Sequence, residues 1–211
     1  MKRYRTVFAV LLSLAPWGAW GQSLDDLFHA AKTGNAPRVA ELLDRGFDPS
    51  STDRDGYSLL MHAGREGHLE VIRVLVDRKA RVDQRTPAGE TALMLATFQG
   101  HLAIVQFLHA RGARIDQTEG WTALHYAAFQ GHQPLCVYLL AQRAPVDPRA
   151  PNGMTPLMVA ARNGHEAIVR LLLGAAADPN LESATGTTAL EWAQRGGHPE
   201  IAQLLRQSGG K

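Results

Sequence analysis

Residues 120–132 of this sequence read GWTALHYAAFQGH, and four further stretches of the chain repeat the same arrangement of glycine, hydroxyl and small apolar residues. The opening glycine recurs at intervals of 33, 31, 33 and 33 residues, at Gly56, Gly89, Gly120, Gly153 and Gly186. The closing Gly-His pair recurs at the same intervals, at Gly67-His68, Gly100-His101, Gly131-His132, Gly164-His165 and Gly197-His198. Two glycine series in fixed phase, with a period of roughly 20–50 residues, are typical of a protein built from stacked repeats.

The residues between the two glycines predict a short helix in every unit. A hydroxyl residue that can cap a helix start follows two positions after the first glycine, at Ser58, Thr91, Thr122, Thr155 and Thr188. A small residue within each helix leaves room for a neighbouring helix, at Ala63, Ala96, Ala127, Ala160 and Ala193. The glycine of each Gly-His pair favours the left-handed conformation that ends a helix.

A second apolar pattern follows each Gly-His pair, as Leu69, Ile72 and Leu75 illustrate, and predicts a second helix that ends at a turn of small residues. A branched residue and an aspartate come next, as in Val82-Asp83. This unit resembles the ankyrin repeat, and the resemblance extends from about Leu24 to Gln207. It implies an all-α ankyrin-repeat solenoid of stacked helix-turn-helix units with short β-hairpin-like fingers.

A degenerate first unit is in register with the others. Asp25-Asp26 is expected at its helix start, and Gly34-Asn35 falls 33 residues before Gly67-His68. With this unit the sequence predicts six repeats, at about residues 22–52, 53–85, 86–117, 118–149, 150–181 and 182–211. The last helix carries the polar Gln203 and Arg206, as the outer face at the end of a stack requires. The 31-residue interval predicts a shortened finger between Asp116 and Gly120, which would leave a notch in the row of fingers.

The first 21 residues are typical of a cleavable secretory signal peptide. Lys2, Arg3 and Arg5 precede a nine-residue apolar core at 7–15, and small residues follow at Ala19 and Gly21. An uncleaved anchor is the alternative, but the apolar core is far shorter than the roughly 20 residues that span a bilayer. We expect cleavage after Gly21 and no membrane attachment of the remaining chain, residues 22–211.

The charge and cysteine content favour an exported protein that does not bind nucleic acid. The chain has 22 basic and 20 acidic residues, and loss of the three basic residues of the leader gives a net charge of −1. Such a chain lacks the basic excess of a nucleic-acid binder. Its one cysteine, Cys136, lies beside Leu135 and Val137 in a second helix, where we expect a buried, inert thiol rather than a reactive one. An exported chain without internal disulfides fits a bacterial periplasm, with secretion from the cell as the alternative.

No residue pattern indicates an enzyme, a metal site or a cofactor. Five of the nine histidines belong to Gly-His pairs, where we expect the ring to bond to neighbouring backbone and link adjacent repeats. The sequence contains no HxxxH or CxxC spacing, no phosphate-binding glycine loop and no serine in a nucleophile-elbow context.

The resemblance implies that partner-binding residues lie directly after the finger glycine and directly before the Gly-His pair, on the concave side. The candidates for protein binding are Tyr57, Arg65, Glu66, Glu90, Phe98, Gln99, Trp121, Phe129, Gln130, Met154, Arg162 and Asn163. The apolar members of this set form either an exposed stripe, which would suit a binding hot spot, or a layer packed flat between repeats.

We therefore predict a non-catalytic, monomeric protein-binding module of the periplasm. Two alternatives remain open: a chaperone-like accessory that protects a periplasmic enzyme, and a secreted effector that acts on a host protein.

Overall fold

A computed structural model of the chain describes residues 17–115 and 120–211, with side chains from Leu24 onward. These residues form twelve helices: α1 Trp17–Lys32, α2 Ala36–Asp44, α3 Leu59–Glu66, α4 Leu69–Asp77, α5 Ala92–Phe98, α6 Leu102–Ala110, α7 Ala123–Gln130, α8 Gln133–Ala141, α9 Pro156–Arg162, α10 Glu166–Gly174, α11 Ala189–Arg195 and α12 Pro199–Gln207. Consecutive helices pack as pairs, and each pair packs on the next. The all-α solenoid is confirmed.

The helix starts form where the hydroxyl residues predict them. Each hydroxyl caps the first helix of its pair and accepts a hydrogen bond from the backbone N–H three residues later, as Thr122 does from His125. Pro156 occupies the first turn of α9, where its missing N–H breaks no helical hydrogen bond. Each cap therefore fixes where the helix starts and how the preceding finger joins it.

The fingers are tight turns closed by backbone hydrogen bonds. In the first, the Asp53 N–H donates to the Tyr57 carbonyl at 2.9 Å, and the Gly56 N–H donates to the Asp53 carbonyl at 3.1 Å. The same two bonds recur where the fingers before α5, α9 and α11 turn back towards their helices. Across residues 17–115 and 120–211 the fingers contain one isolated antiparallel bridge, Thr52–Ser58, and no longer strand. The predicted shortened finger lies at 116–119, outside the described residues.

Helix α1 differs from its predicted form at its N-terminal end. Residues 17–24 are already helical, so the prediction of a helix start at Asp25-Asp26 is wrong. The Asp26 carboxylate instead pairs with the Arg38 guanidinium near the start of α2 and links the two helices of the first pair. Residues 1–16 of the predicted leader lie outside the described residues, and cleavage after Gly21 stays a prediction.

The first helices of neighbouring pairs approach one another closely because they carry small residues at their contacts. The five predicted alanines are all fully buried, and a Cβ added at Gly64 would lie 3.0 Å from the Ala92 carbonyl oxygen. The second helices of neighbouring pairs make looser contact, so the stack curves, with its first helices and fingers on the concave side. One continuous apolar core runs between the two layers.

The five histidines of the Gly-His pairs connect successive helix pairs, as predicted. Each Nε2 atom lies 2.9 to 3.2 Å from a backbone carbonyl oxygen near the end of the preceding first helix, contributed in chain order by Lys32, Arg65, Phe98, Phe129 and Arg162. Each ring also packs on the turn glycine of the preceding pair. A Cβ at Gly100, for example, would lie 2.8 Å from Cε1 of His132. We call this series of contacts the histidine ladder.

The described C-terminal end of the stack is polar on its outer side. Gln203 and Arg206 of α12 are exposed, whereas Ile201, Ala202 and Leu205 are buried against the preceding helices. The two polar residues that the sequence places on the outer face of the last helix are therefore exposed, as expected.

Two glycine substitutions distinguish the stability lost when a ladder contact is disrupted from the stability lost when a left-handed residue acquires a Cβ. Gly100 and Gly89 have φ angles of +86° and +85°, but a Cβ at Gly89 would meet nothing within 4 Å. Gly89→Ala should lower the free energy of unfolding by about 1–2 kcal/mol, the cost of the strained conformation. Gly100→Ala should lower it by roughly 1–3 kcal/mol more because the His132 ring and its hydrogen bond are displaced. Urea denaturation measures both, and equal losses would contradict a stabilising ladder.

Candidate functional site

Two positions of each repeat face one another on the concave side. The finger-base position directly follows the finger glycine and is held by the finger bonds and the helix cap. It is occupied by Tyr57, Glu90, Trp121, Met154 and Thr187. The last-turn position comes eight residues later, near the end of the same first helix, and is occupied by Arg65, Phe98, Phe129, Arg162 and Arg195. The candidate residues fall mostly on these two positions.

In three repeats an arginine at the last-turn position covers the residue at the finger base. The Arg65 guanidinium lies 6.0 Å from the centroid of the Tyr57 ring. Arg162 Nη1 lies 3.9 Å from the sulfur of Met154, and Arg195 Nη1 donates to the Thr187 hydroxyl at 3.2 Å. The two central repeats carry Phe98 and Phe129 in place of this arginine.

The central repeats form an aromatic cluster of Phe98, Trp121, Tyr126 and Phe129. Trp121 packs edge-on against Phe129 with ring centroids 5.7 Å apart, and its centroid is 5.4 Å from that of Tyr126. Phe98 stacks on Phe129 at 6.3 Å across the two repeats and meets Tyr126 edge-on at 5.9 Å. All four side chains are half-buried. The cluster therefore combines the two arrangements that the sequence left open, because the rings pack on one another and also remain accessible.

The Glu90 carboxylate lies at the edge of this cluster between two phenols. Tyr57 donates to Glu90 Oε2 at 3.1 Å, and Tyr126 donates to Oε1 at 3.5 Å. The hydrogen bond to Glu90 raises the pKa of Tyr57, and burial together with the negative charge of Glu90 raises the pKa of Tyr126 to about 12. Within residues 17–115 and 120–211, no Lys or Arg forms an ion pair with this carboxylate.

Met154 does not present the accessible side chain expected of it. Only 3% of the residue is exposed, because it packs into the core beneath Arg162. The apolar stripe predicted from Tyr57 to Met154 therefore ends at Phe129. The finger-base position is not uniform in burial, since Tyr57 and Trp121 at the same position are half-buried.

The remaining polar candidates divide into paired and free groups. Arg65 forms an ion pair with its neighbour Glu66 at 3.1 Å. The Asn163 side chain donates to the Phe129 carbonyl at 2.9 Å and thereby joins two repeats, which is a structural role. Gln99 and Gln130 are exposed beside the aromatic cluster. These two glutamines are the polar groups best placed to meet a partner there.

Sequence reasoning missed Tyr126, which holds the cluster together. Tyr126 precedes Phe129 by three residues on α7, and residues at this spacing lie on the same helix face, so the signal was present. Trp192, at the equivalent place in α11, was also missed. Its ring lies 5.5 Å from the Arg162 guanidinium and 5.6 Å from that of Arg195.

A buried histidine, His125, packs against the Trp121 ring. His125 is fully buried, and its ring centroid lies 5.6 Å from that of Trp121. The Thr122 N–H donates to Nδ1 at 3.1 Å, so Nε2 carries the proton and donates to the Met154 carbonyl at 3.0 Å. Burial lowers the pKa of His125 to about 4, which keeps the ring neutral at physiological pH. Neutral His125 therefore links the repeat that carries Trp121 to the repeat that carries Met154.

Other kinds of site find little support in the described part of the chain. It contains no group of three or more His, Cys, Asp or Glu side chains placed to hold a metal ion. None of its helices has both the length and the apolar character needed to cross a membrane. Cys136 is buried, and burial raises the pKa of its thiol to about 12, which agrees with the predicted inert role.

Comparison with known proteins identifies the repeated unit. A family model described as ankyrin repeats (three copies) matches residues 27–119, 80–150, 112–183 and 145–211, which overlap and together span 27–211. Among solved structures, the chain is similar to the crystal structure of the human ASB11 ankyrin repeat domain. The two are 27% identical, the match covers 88% of this chain and 84% of that chain, and the TM-score is 0.81. Comparison with curated proteins finds no match.

The buried His125 predicts a measurable pH dependence of stability. Its pKa is about 4 when folded and about 6.5 when unfolded, so the unfolded chain binds the extra proton between these values. The stabilisation is complete above pH 6.5 and is lost as the pH falls towards 4. From pH 7 to pH 5 the chain should lose about 2 kcal/mol more of its unfolding free energy than the His125→Met variant.

Methionine is a matched replacement because Met61, Met94 and Met158 occupy the equivalent positions of other repeats. Subtracting the two denaturation curves at each pH removes the contributions of other titrating groups, including the Asp53–His62 pair. Parallel pH profiles for the two proteins would contradict a neutral, buried His125.

Proposed function

Because the chain belongs to the ankyrin-repeat family, whose fold is a non-enzymatic scaffold for protein–protein interaction, we propose that it binds a partner protein through its concave face. The binding unit comprises six repeats, at about residues 22–52, 53–85, 86–117, 118–149, 150–181 and 182–211, and works as a monomer. The proposed binding face consists of the finger-base and last-turn positions, without the buried Met154.

The aromatic cluster is the observation that carries this proposal. Half-buried Trp and Tyr rings grouped near the centre of a surface are the usual composition of a binding hot spot. Phe98, Trp121, Tyr126 and Phe129 lie in the central repeats, and the exposed Gln99 and Gln130 beside them supply a polar rim. A partner segment that crosses the middle of the stack would cover rings that water now partly covers.

The setting that we propose is the bacterial periplasm. The leader at residues 1–21 and the single buried cysteine support export into a compartment where the chain needs no disulfide. A chaperone-like accessory to a periplasmic enzyme would use the same cluster with lower selectivity. A secreted effector would use it on a host protein, and cell fractionation distinguishes that case.

Removal of the cluster should abolish partner capture. The immobilised, exported chain is exposed to a periplasmic extract of its own organism, and the retained proteins are identified by mass spectrometry. Replacing Trp121 and Phe129 by Ala should reduce retention of the partner at least roughly thirtyfold, because a central aromatic hot spot is typically worth about 2 kcal/mol or more. Val137→Ala, an exposed apolar residue on the outer helix α8, should change nothing.

A second variant guards against a loss of folding. Because the rings pack on one another, the Trp121/Phe129 variant should also melt a few degrees lower, which circular dichroism records. Gln130→Trp enlarges an exposed side chain next to the cluster and removes no ring contact. It should block capture while the melting temperature stays unchanged. Undiminished capture by both variants would contradict the proposal that the partner binds to the concave face.

Export makes its own prediction about the N-terminus. If the leader is cleaved after Gly21, mass spectrometry of the protein isolated from the periplasm should give a chain that begins at Gln22. A periplasmic product that still contains Met1 would refute cleavage. Protein found only in the culture medium would favour the secreted alternative.

A further inference from the structure

The finger-base and last-turn positions follow a rule that the central repeats break. Where the stack carries Tyr57, Met154 and Thr187 at the finger base, an arginine eight residues later lies against that side chain. Where it carries Glu90 and Trp121, the arginine is replaced by Phe98 and Phe129. The two finger-base residues best suited to meet a cation, a carboxylate and an indole, are thus the two without an arginine of their own repeat.

The charges around Glu90 are consistent with a missing cation. Its carboxylate is held by two neutral phenols, Tyr57 and Tyr126, and no basic side chain of residues 17–115 or 120–211 pairs with it. None of residues 116–119 is basic. Among the described residues, guanidinium groups lie over the rings of Tyr57, Phe107 and Trp192, but none lies over Trp121.

The chemistry of the cluster is that of a cation site. Aromatic faces attract a guanidinium through the ring quadrupole, most strongly for Trp, and a nearby carboxylate adds a charge-assisted hydrogen bond. The phenols that donate to Glu90 fix the orientation of the carboxylate. Tyr126, a member of the ring cluster, donates to Glu90 Oε1 at 3.5 Å, so the carboxylate lies directly beside the rings.

We propose that the partner protein inserts an arginine side chain between Glu90 and the Phe98–Trp121–Phe129 rings, where its guanidinium replaces the arginine that the flanking repeats supply from within. The inference rests on the proposed function, because it gives the chemistry of the partner on the same face. This chain therefore provides a carboxylate beside aromatic rings, and the partner provides an exposed arginine near the centre of the interface.

A short peptide tests the site without knowledge of the partner. The probe is acetyl-Gly-Arg-Gly-amide, and its control is the same peptide with citrulline, which keeps the shape of arginine and lacks its charge. The observable is the indole N–H resonance of Trp121, assigned by comparison with the Trp121→Phe variant. The arginine peptide should shift this resonance saturably in the millimolar range, and the citrulline peptide should not. Equal shifts with both peptides, or none with either, overturn the inference.

Two substitutions test which groups hold the guanidinium. Glu90→Gln retains an oxygen for the phenols but removes the charge, and it should weaken arginine-peptide binding about tenfold. Phe98→Arg restores the arginine that three other repeats carry at this position, so the fold accommodates it and the site is filled from within. This variant should lose the shift entirely. Gln106→Arg makes the same change of net charge on the outer helix α6 and should bind as the parent does.

The outcomes separate this inference from the proposed function. One outcome is that capture of the partner depends on Trp121 and Phe129 while the arginine peptide leaves the Trp121 resonance unshifted and Phe98→Arg leaves capture unchanged. In that case the concave face binds protein by other chemistry, and the proposed arginine site is wrong. If Phe98→Arg abolishes both the peptide shift and partner capture, while Gln106→Arg abolishes neither, the inference is supported. If capture survives loss of the cluster, the proposed function fails as well.

Discussion

The contact between an imidazole ring and a glycine that has no Cβ is the constraint on which the stack depends. At each step the histidine of one Gly-His pair lies on the glycine of the pair before it and bonds to a backbone carbonyl near the end of the preceding first helix. Any larger residue at the glycine would collide with the ring, and a residue whose side chain cannot donate a hydrogen bond would leave that carbonyl without this partner. The ladder thus ties each Gly-His turn to the end of the preceding first helix.

The ladder also connects the fold to the binding face. The carbonyls that accept from His132 and His165 belong to Phe98 and Phe129, whose side chains point to the aromatic cluster. The backbone of these two residues is therefore fixed by the same bonds that hold the stack together. A rigid backbone under the rings keeps them in place before a partner arrives, which lowers the entropic cost of binding.

The fold was predictable from sequence because its signals repeat, whereas the site was not because its members depart from the repeat. Glycine spacing, hydroxyl caps and buried alanines each recur five times, so an accidental match at one position hardly matters. Met154 and Trp121 occupy the same position, yet one is buried and the other half-buried, so the position in the repeat does not determine how far the side chain is exposed. Tyr126 was missed because its position carries a different residue type in every other repeat, and the helical residues before Asp25 were missed because they have no counterpart in the pattern.

The histidine ladder joins only neighbouring helix pairs, and its contacts do not involve the finger that connects one pair to the next. The interval that is two residues shorter keeps the bond from His132 to the Phe98 carbonyl at 3.0 Å, within the range of the other four. The length of a finger tip is therefore uncoupled from the register of the helices. Insertions and deletions at surface turns cost little free energy. A gene of this kind can remodel its finger tips by gaining or losing codons there, and its descendants can acquire new partners while inheriting an unaltered scaffold.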